Sequence, residues 1–163
     1  MTDPRYRDVK AADVPPVELP GGALVRVIAG RVGTAEGPVR GIVTDPEYLD
    51  VTLPRGASLS HPVGRDRNTF AYVFEGQAFF GSARERRQVG PHRDGTLVRL
   101  GEGDLVEARQ DGGGPARFLL VSGRPLREPV AWRGPIVMNT EEELRTAFEE
   151  YRAGTFLKVG GRR

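Results

Sequence analysis

Short segments in which apolar and polar residues alternate make up most of this chain. In residues 48–53, Leu49, Val51 and Leu53 alternate with more polar neighbours, which is typical of a β-strand with one face in the core. The 22 glycines and 13 prolines separate such segments at short intervals, as in a sandwich or barrel. The pattern predicts strands over residues 24–29, 39–43, 48–53, 69–75, 77–80, 96–100, 104–108 and 117–121.

One segment near the C-terminus has a helical period instead. From Leu144 onward, apolar residues recur at i, i+3, i+4 and i+7, so they would form one stripe along a helix. Thr140 and Glu143 have the spacing of a capping box, and Gly154 follows as a stop signal. The pattern predicts one amphipathic helix over about residues 141–153.

Composition narrows the classes of protein that remain. A chain of 163 residues has the size of one domain, and the absence of cysteine excludes disulfides and thiolate chemistry. The formal charge is only +2 and acidic residues are spread among the basic ones, which argues against nucleic acid as a partner. No long apolar run and no secretory signal are seen, so a cytoplasmic protein that does not enter a membrane is expected.

One stretch keeps the glycine spacing of a metal-binding motif without its ligands. Gly56 and Gly76 frame it, and the positions of two histidines and a glutamate fall on Pro62, Gly64 and Thr69. The spacing resembles the first motif of the cupins. It predicts a cupin barrel in which these metal positions are vacated.

A second stretch likewise keeps the spacing of a cupin motif without its metal ligand. Gly95 and Gly103 match the glycines of the second cupin motif, Gly101 stands at its proline position, and its histidine position falls on Val106. A transition metal needs several N, O or S donors at about 2.0–2.3 Å, and proline, glycine and valine side chains offer none. The sequence therefore predicts no metal, no cofactor and no catalytic residue in this chain.

Longer motifs carry a more specific resemblance. The stretches PLREPV at 125–130 and GPIVMNTEE at 134–142, together with LGEGD at 100–104, resemble the C-terminal half of the pirin family. The opening residues 4–6 resemble the segment that joins the two halves of those proteins. The resemblance implies an all-β cupin fold, a double-stranded β-helix or jelly-roll barrel, with one C-terminal α-helix.

The same resemblance implies a division of the chain and the place of any metal. Residues 1–22 would be an N-terminal arm or interdomain linker, 23–130 the cupin barrel, and 131–163 an extension that carries the helix. Pirins are bicupins with three histidines and a glutamate around a metal in the N-terminal barrel. Iron or another divalent metal is therefore expected only if such a barrel accompanies this chain.

Strand alternation assigns a role to each face of residues 69–75. Thr69, Ala71 and Val73 should line the barrel interior with Val106 opposite, either as a filled core, which we favour, or around an apolar ligand pocket. His61 lies one position before a vacated ligand position, and neither it nor the second histidine, in a polar turn at 92, fits the motif spacing.

The other face of the same strand carries Phe70, Tyr72 and Phe74. Three outward aromatic rings would leave an apolar patch that a soluble monomer rarely exposes. The N-terminal arm or the C-terminal helix could cover them. Alternatively, they form an interface with a second cupin barrel, either a second copy of this chain or the missing N-terminal half.

Two functions follow as expectations. The first is a metal-free, pirin-like C-terminal cupin module with a role in structure, oligomerisation or regulatory protein binding. The second is part of a cupin dioxygenase of the quercetin 2,3-dioxygenase type, whose metal site lies in an N-terminal barrel. Arg127 and Glu128 are further predicted to form a buried ion pair where the chain leaves its last strand.

Overall fold

The computed structural model describes residues 6–157, apart from the side chain of Arg86. The chain divides into two compact units, Met1–Pro125 and Leu126–Arg163. Positions 4 and 5 of the segment compared with the pirin linker lie outside the described residues. The predicted domain boundaries at residues 22 and 130 remain predictions.

The first unit contains twelve strands, a single turn of 3₁₀ helix at Ala11–Asp13 and one short α-helix among its described residues. The strands are β1 (Pro16–Glu18), β2 (Leu24–Ala29), β3 (Arg31–Val32), β4 (Ala35–Glu36), β5 (Glu47–Leu53), β6 (Ser58–Pro62), β7 (Asn68–Glu75), β8 (Gln77–Phe80), β9 (His92–Arg93), β10 (Thr96–Arg99), β11 (Leu105–Arg109) and β12 (Ala116–Gly123), with helix α1 (Ala83–Val89) between β8 and β9.

Two antiparallel sheets enclose the core of this unit. The larger sheet has the order β1-β2-β5-β12-β7-β10 and the smaller one β6-β11-β8-β9, while β3 and β4 form a separate hairpin. Residues from both sheets share one buried apolar cluster, in which the rings of Phe80 and Phe118 meet edge to face at 5.0 Å. This arrangement is the predicted jelly-roll barrel.

The alternation seen in the sequence is the cause of this packing. Leu49, Val51 and Leu53 on β5 are completely buried, and β7 alternates buried and exposed positions over its first six residues. Because successive side chains of a strand point to opposite faces, each strand contributes its apolar set to one core.

Some predicted elements differ from the structure. Residues 39–43 do not form a strand: Val39 makes only an isolated bridge to Ala29, and Val43 is exposed. Gly41 has a φ of +68°, a left-handed conformation that interrupts an extended segment. Helix α1 and strand β6 were not predicted, because the former is mostly polar and the latter combines polar residues with a proline.

The second unit consists of a hairpin and a helix. Its elements are β13 (Ala131–Arg133), β14 (Ile136–Met138) and α2 (Glu141–Ala153), with Ala131, Ile136, Leu144 and Ala147 in a small core. Helix α2 has the predicted bounds. The Thr140 Oγ1 accepts from the N–H of Glu143, and the Glu143 carboxylate accepts from the N–H of Thr140, which completes the predicted capping box.

The predicted ion pair between Arg127 and Glu128 is wrong. Both residues are exposed, and the Glu128 carboxylate accepts a hydrogen bond of 2.9 Å from Nδ2 of Asn139 instead. Arg127 has a φ of +54°, so the backbone turns at this point. Among residues 6–157, no helix is both long and apolar enough to cross a membrane.

Candidate functional site

A row of polar side chains crosses the inner face of the larger sheet. Glu47 on β5, Ser122 on β12 and Thr69 on β7 are direct neighbours in the strand register. Ser122 and Thr69 are buried, and the Glu47 side chain is 19% exposed. Polar groups at buried positions need hydrogen-bond partners, so this row marks a special layer in an otherwise apolar interior.

A histidine from the opposite sheet completes this layer. His61 on β6 is buried, and its Nε2 lies 3.1 Å from Oε2 of Glu47. The Ser122 hydroxyl donates to the same oxygen at 3.3 Å. We call these three residues the Glu47–His61–Ser122 cluster. It links the two sheets through hydrogen bonds in the barrel interior.

A glycine makes room for this cluster. Gly30 has a φ of +86°, and a Cβ atom added there would lie 2.6 Å from Cγ of Glu47. A side chain at position 30 would therefore collide with the stem of Glu47 in addition to adopting an unfavourable backbone conformation. The glycine thus leaves the space that the Glu47 side chain occupies.

The inward position of β6 differs by one residue from the cupin frame read in the sequence. Leu59 and His61 are buried, whereas Pro62 and Gly64 are exposed. His61 is the register partner of Val106 on β11, which is also buried. Leu59 and Val63 each lie two positions from His61 in the sequence, and this alternation is the signal that places His61 on the same face of the strand.

The donors at this level of the barrel do not fit a metal ion. Val63 and Val106 offer only carbon, and Thr69 offers a single hydroxyl. Nε2 of His61 is already in contact with Glu47. The described residues include no group of three or more His, Cys, Asp or Glu side chains arranged to hold a metal, and protein metal sites commonly use at least three ligands.

A cavity of about 230 Å³ opens at two of the four vacated positions. Thr69 and Val106 belong to its lining, as does Glu85, whose pKa is lowered by hydrogen bonds from the side chain and backbone of Ser82. Ala71 and Val73 are completely buried in the apolar core and are not part of this lining. The four residues proposed from the sequence therefore all lie inside, but only two face this cavity.

The outer face of the larger sheet carries the three predicted aromatic residues. Phe70, Tyr72 and Phe74 are each 37–38% exposed. Tyr72 pairs with Leu97 on β10 and with Leu119 on β12, which extends the apolar surface across three strands.

A charged pair borders this aromatic row. The guanidinium of Arg117 lies 5.1 Å from the ring centroid of Phe74, within reach of a cation–π contact. Nε and Nη2 of Arg117 donate to the two carboxylate oxygens of Asp50 at 2.8 and 2.5 Å, and these hydrogen bonds raise the pKa of Arg117. The pair holds Arg117 beside the ring.

The two histidines have separate surroundings. His92 on β9 is partly buried and meets the ring of Phe80 edge to face at 5.7 Å, whereas His61 contacts Glu47. The Nδ1 atom of His92 is buried without a hydrogen-bond partner among the described residues. Sequence reasoning did not find Glu47 or Ser122, because each is a single polar residue at or next to the end of a strand.

Comparison with known proteins places this geometry in a family. A family model described as the Pirin C-terminal cupin domain matches residues 48–157. A pirin-like protein of Caulobacter vibrioides is 40% identical over 96% of this chain and 54% of that protein. Pirin of Rattus norvegicus is 36% identical over 93% of this chain and 50% of that protein.

Two further relatives carry names that refer to an activity. A protein of Pseudomonas aeruginosa named as a putative quercetin 2,3-dioxygenase is 36% identical over 91% of this chain and 52% of that protein. The crystal structure of a quercetin 2,3-dioxygenase from Acinetobacter baumannii matches with a TM-score of 0.80 and 26% identity, over 96% of this chain and 52% of that one. The chain spans about half the length of the relatives it matches.

Proposed function

The chain belongs to the pirin family, and from this premise we propose that it is a metal-free cupin module that binds a second cupin barrel through the outer face of its larger sheet. The aromatic row Phe70, Tyr72 and Phe74 is the observation that carries the proposal. The proposed role of this module is structural, in oligomerisation or in regulatory protein binding.

The aromatic row has the properties of an interface centre. Large aromatic side chains bury about 150–250 Å² each and dominate the energetics of many interfaces. Leu97 and Leu119 extend the same surface, and Arg117 and Asp50 stand at its side as a charged rim. An apolar centre with a polar rim is the usual anatomy of a protein–protein interface.

A cupin barrel is the partner that best suits this face. The relatives are about twice as long as the stretch this chain matches, so each contains a further region of similar length. In our proposal the partner is either such an N-terminal barrel or a second copy of this chain. With either partner, two sheets would pack face to face. Sheets with apolar faces pack in this way with their strand directions roughly aligned.

A second candidate function is a contribution to a quercetin 2,3-dioxygenase-type enzyme. The similarity to the Pseudomonas protein and to the Acinetobacter structure favours it. The donors of this chain do not suit a metal, so the metal would belong to the other half of the protein. This chain would then support that half without taking part in the chemistry.

The Tyr72→Asp substitution tests the interface. A carboxylate in the centre of an apolar contact would be desolvated without a partner, so we expect association to weaken at least about tenfold. Sedimentation velocity over a range of concentrations measures the dissociation constant. Val43→Asp is the matched control, because Val43 is exposed in a loop outside this face.

If the unmodified chain is monomeric at every concentration and the Tyr72→Asp variant has the same melting temperature, self-association through this face is ruled out. The same pair of variants mixed with the N-terminal half of a relative then tests the other partner. Equal binding by Tyr72→Asp and Val43→Asp in both experiments would contradict the proposal.

A further inference from the structure

The cavity of about 230 Å³ has a lining that changes from buried and mostly apolar to exposed and charged. Thr69 and Val106 are its buried members, and Val63 and Leu100 beside them are half-buried. Glu102 is exposed and belongs to the rim. Because ligand pockets commonly have volumes of roughly 300–1,000 Å³, this cavity suits only a small ligand.

The hydroxyl group of Thr69 is the unusual polar group in this cavity. Thr69 occupies an inward position of β7 and is 7% exposed, and its side chain has no hydrogen bond within the described part of the chain. By contrast, the hydroxyl group of Ser122 in the same row donates to Glu47. A buried hydroxyl group without a partner is unfavourable, so a ligand in this cavity gains by supplying one.

Carboxylates outnumber cations among the described residues of this lining. Glu85, Glu102 and Glu107 belong to it, and Arg67 is its one basic residue. The guanidinium of Arg67 already donates to Asp45, which lies outside the lining. Glu107 takes an outward position on β11, whereas Glu85 and Glu102 are exposed at the rim. The rim therefore favours a cation over an anion.

The segment that carries Glu102 is fixed on both sides. The N–H of Leu100 donates to the backbone oxygen of Thr69 at 3.0 Å, and the N–H of Val63 donates to the backbone oxygen of Asp104 at 2.9 Å. Glu102 itself has no hydrogen bond or ion pair with another described residue. Its carboxylate is therefore held near the cavity by the backbone and is free to bind a cationic group.

We propose that this cavity binds a short amino alcohol. The ammonium group of the ligand lies at the rim beside Glu85 and Glu102, and its methylene chain contacts Val63 and Val106. Its hydroxyl group exchanges a hydrogen bond with Oγ1 of Thr69. The outer face of the larger sheet takes no part in this site, so failure of the interface experiment leaves the proposal unaffected.

Titration with three probes of matched size tests the site. The probe 4-aminobutan-1-ol carries both polar groups, pentylamine lacks the hydroxyl group, and butane-1,4-diol lacks the ammonium group. Chemical-shift changes of the backbone amides at low salt report binding. We expect saturable binding of 4-aminobutan-1-ol, with shifts near Thr69 and Glu102. Pentylamine should bind about fivefold more weakly for want of the hydrogen bond, and the diol about threefold more weakly for want of the ion pair.

The Thr69→Val variant removes the hydroxyl group at nearly constant volume. We expect it to bind 4-aminobutan-1-ol and pentylamine equally, because the polar partner is lost while the apolar wall remains. Thr52→Val is the matched control, since Thr52 is half-buried and outside the cavity lining. A preference for the amino alcohol that Thr69→Val keeps, or that the unmodified chain lacks, would overturn the role of Thr69.

The Glu102→Gln variant tests the cationic end of the ligand. Because exposed ion pairs are weak, it should bind both amines about threefold more weakly and the diol unchanged. Glu102 is exposed, so the barrel should keep its melting temperature. Glu18→Gln, an exposed glutamate outside the lining, is the control. Equal amine affinity in these two variants, or no saturation with 4-aminobutan-1-ol, would overturn the site.

Discussion

The His61→Ala substitution is expected to lower the free energy of unfolding of the barrel by about 3 kcal/mol, because it removes one member of a buried hydrogen-bonded pair and leaves a cavity. His61 is buried, and among the described residues its partner Glu47 would keep only the Ser122 hydroxyl as a side-chain hydrogen-bond donor. Urea unfolding monitored by circular dichroism measures the change. His92→Ala, at the partly buried histidine, is the control and should cost about 1 kcal/mol.

A double-mutant cycle separates the pairing from the packing. The variants His61→Leu, Glu47→Leu and the double variant keep an apolar volume at each position. We expect a coupling energy of about 1.5 kcal/mol between positions 47 and 61. A coupling near zero would mean that the 3.1 Å contact between Nε2 and Oε2 does not hold the sheets together.

The Gly30→Ala substitution is expected to lower the free energy of unfolding by about 3 kcal/mol. A left-handed φ is unfavourable for alanine, and the new methyl group displaces Glu47. The added Cβ would lie 2.6 Å from Cγ and 3.1 Å from Cα of Glu47. Gly33→Ala is a matched control, since Gly33 also has a positive φ, +57°, but its Cβ would meet no atom within 4 Å. Thermal or urea unfolding measures both variants.

The Gly33→Ala control is expected to lower the free energy of unfolding by only about 1 kcal/mol, which is the backbone contribution. Similar losses for both glycines would mean that crowding against Glu47 contributes nothing.

Much of the barrel follows from alternation alone. Leu49, Val51 and Leu53 on one strand, and Thr69, Ala71 and Val73 on another, take the buried faces that their spacing predicts. The capping box and Gly154 likewise give helix α2 the bounds that were predicted. These signals are local, because the residues that carry them are neighbours in the chain.

The candidate site could not be found in the same way. Glu47, His61 and Ser122 lie on three strands, and their separations of 14 and 75 residues from Glu47 have no sequence period. The glycine frame of the cupin motif placed the ligand position at Pro62, whereas the strand alternation places His61 inside. Alternation depends on where a strand begins, and β6 was not predicted as a strand.

The mixed charged lining of a cavity of about 390 Å³ beside Glu47 could not be predicted from the sequence either. Its arginines and carboxylates come from β3, β4, the first residue of β5 and the loops before β5 and β7, where the sequence shows only scattered charges. Residues 39–43 were predicted as a strand, but their backbone turns and forms part of the cavity wall. Only the folded backbone brings these charges to one surface.

Elemental analysis of the purified chain after chelator treatment tests whether the barrel is free of metal. We expect no stoichiometric iron, nickel or zinc, and a melting temperature that the chelator leaves unchanged, because Val63, Thr69 and Val106 present too few donors beside His61. One equivalent of metal that survives the chelator and is lost in His61→Ala would contradict it.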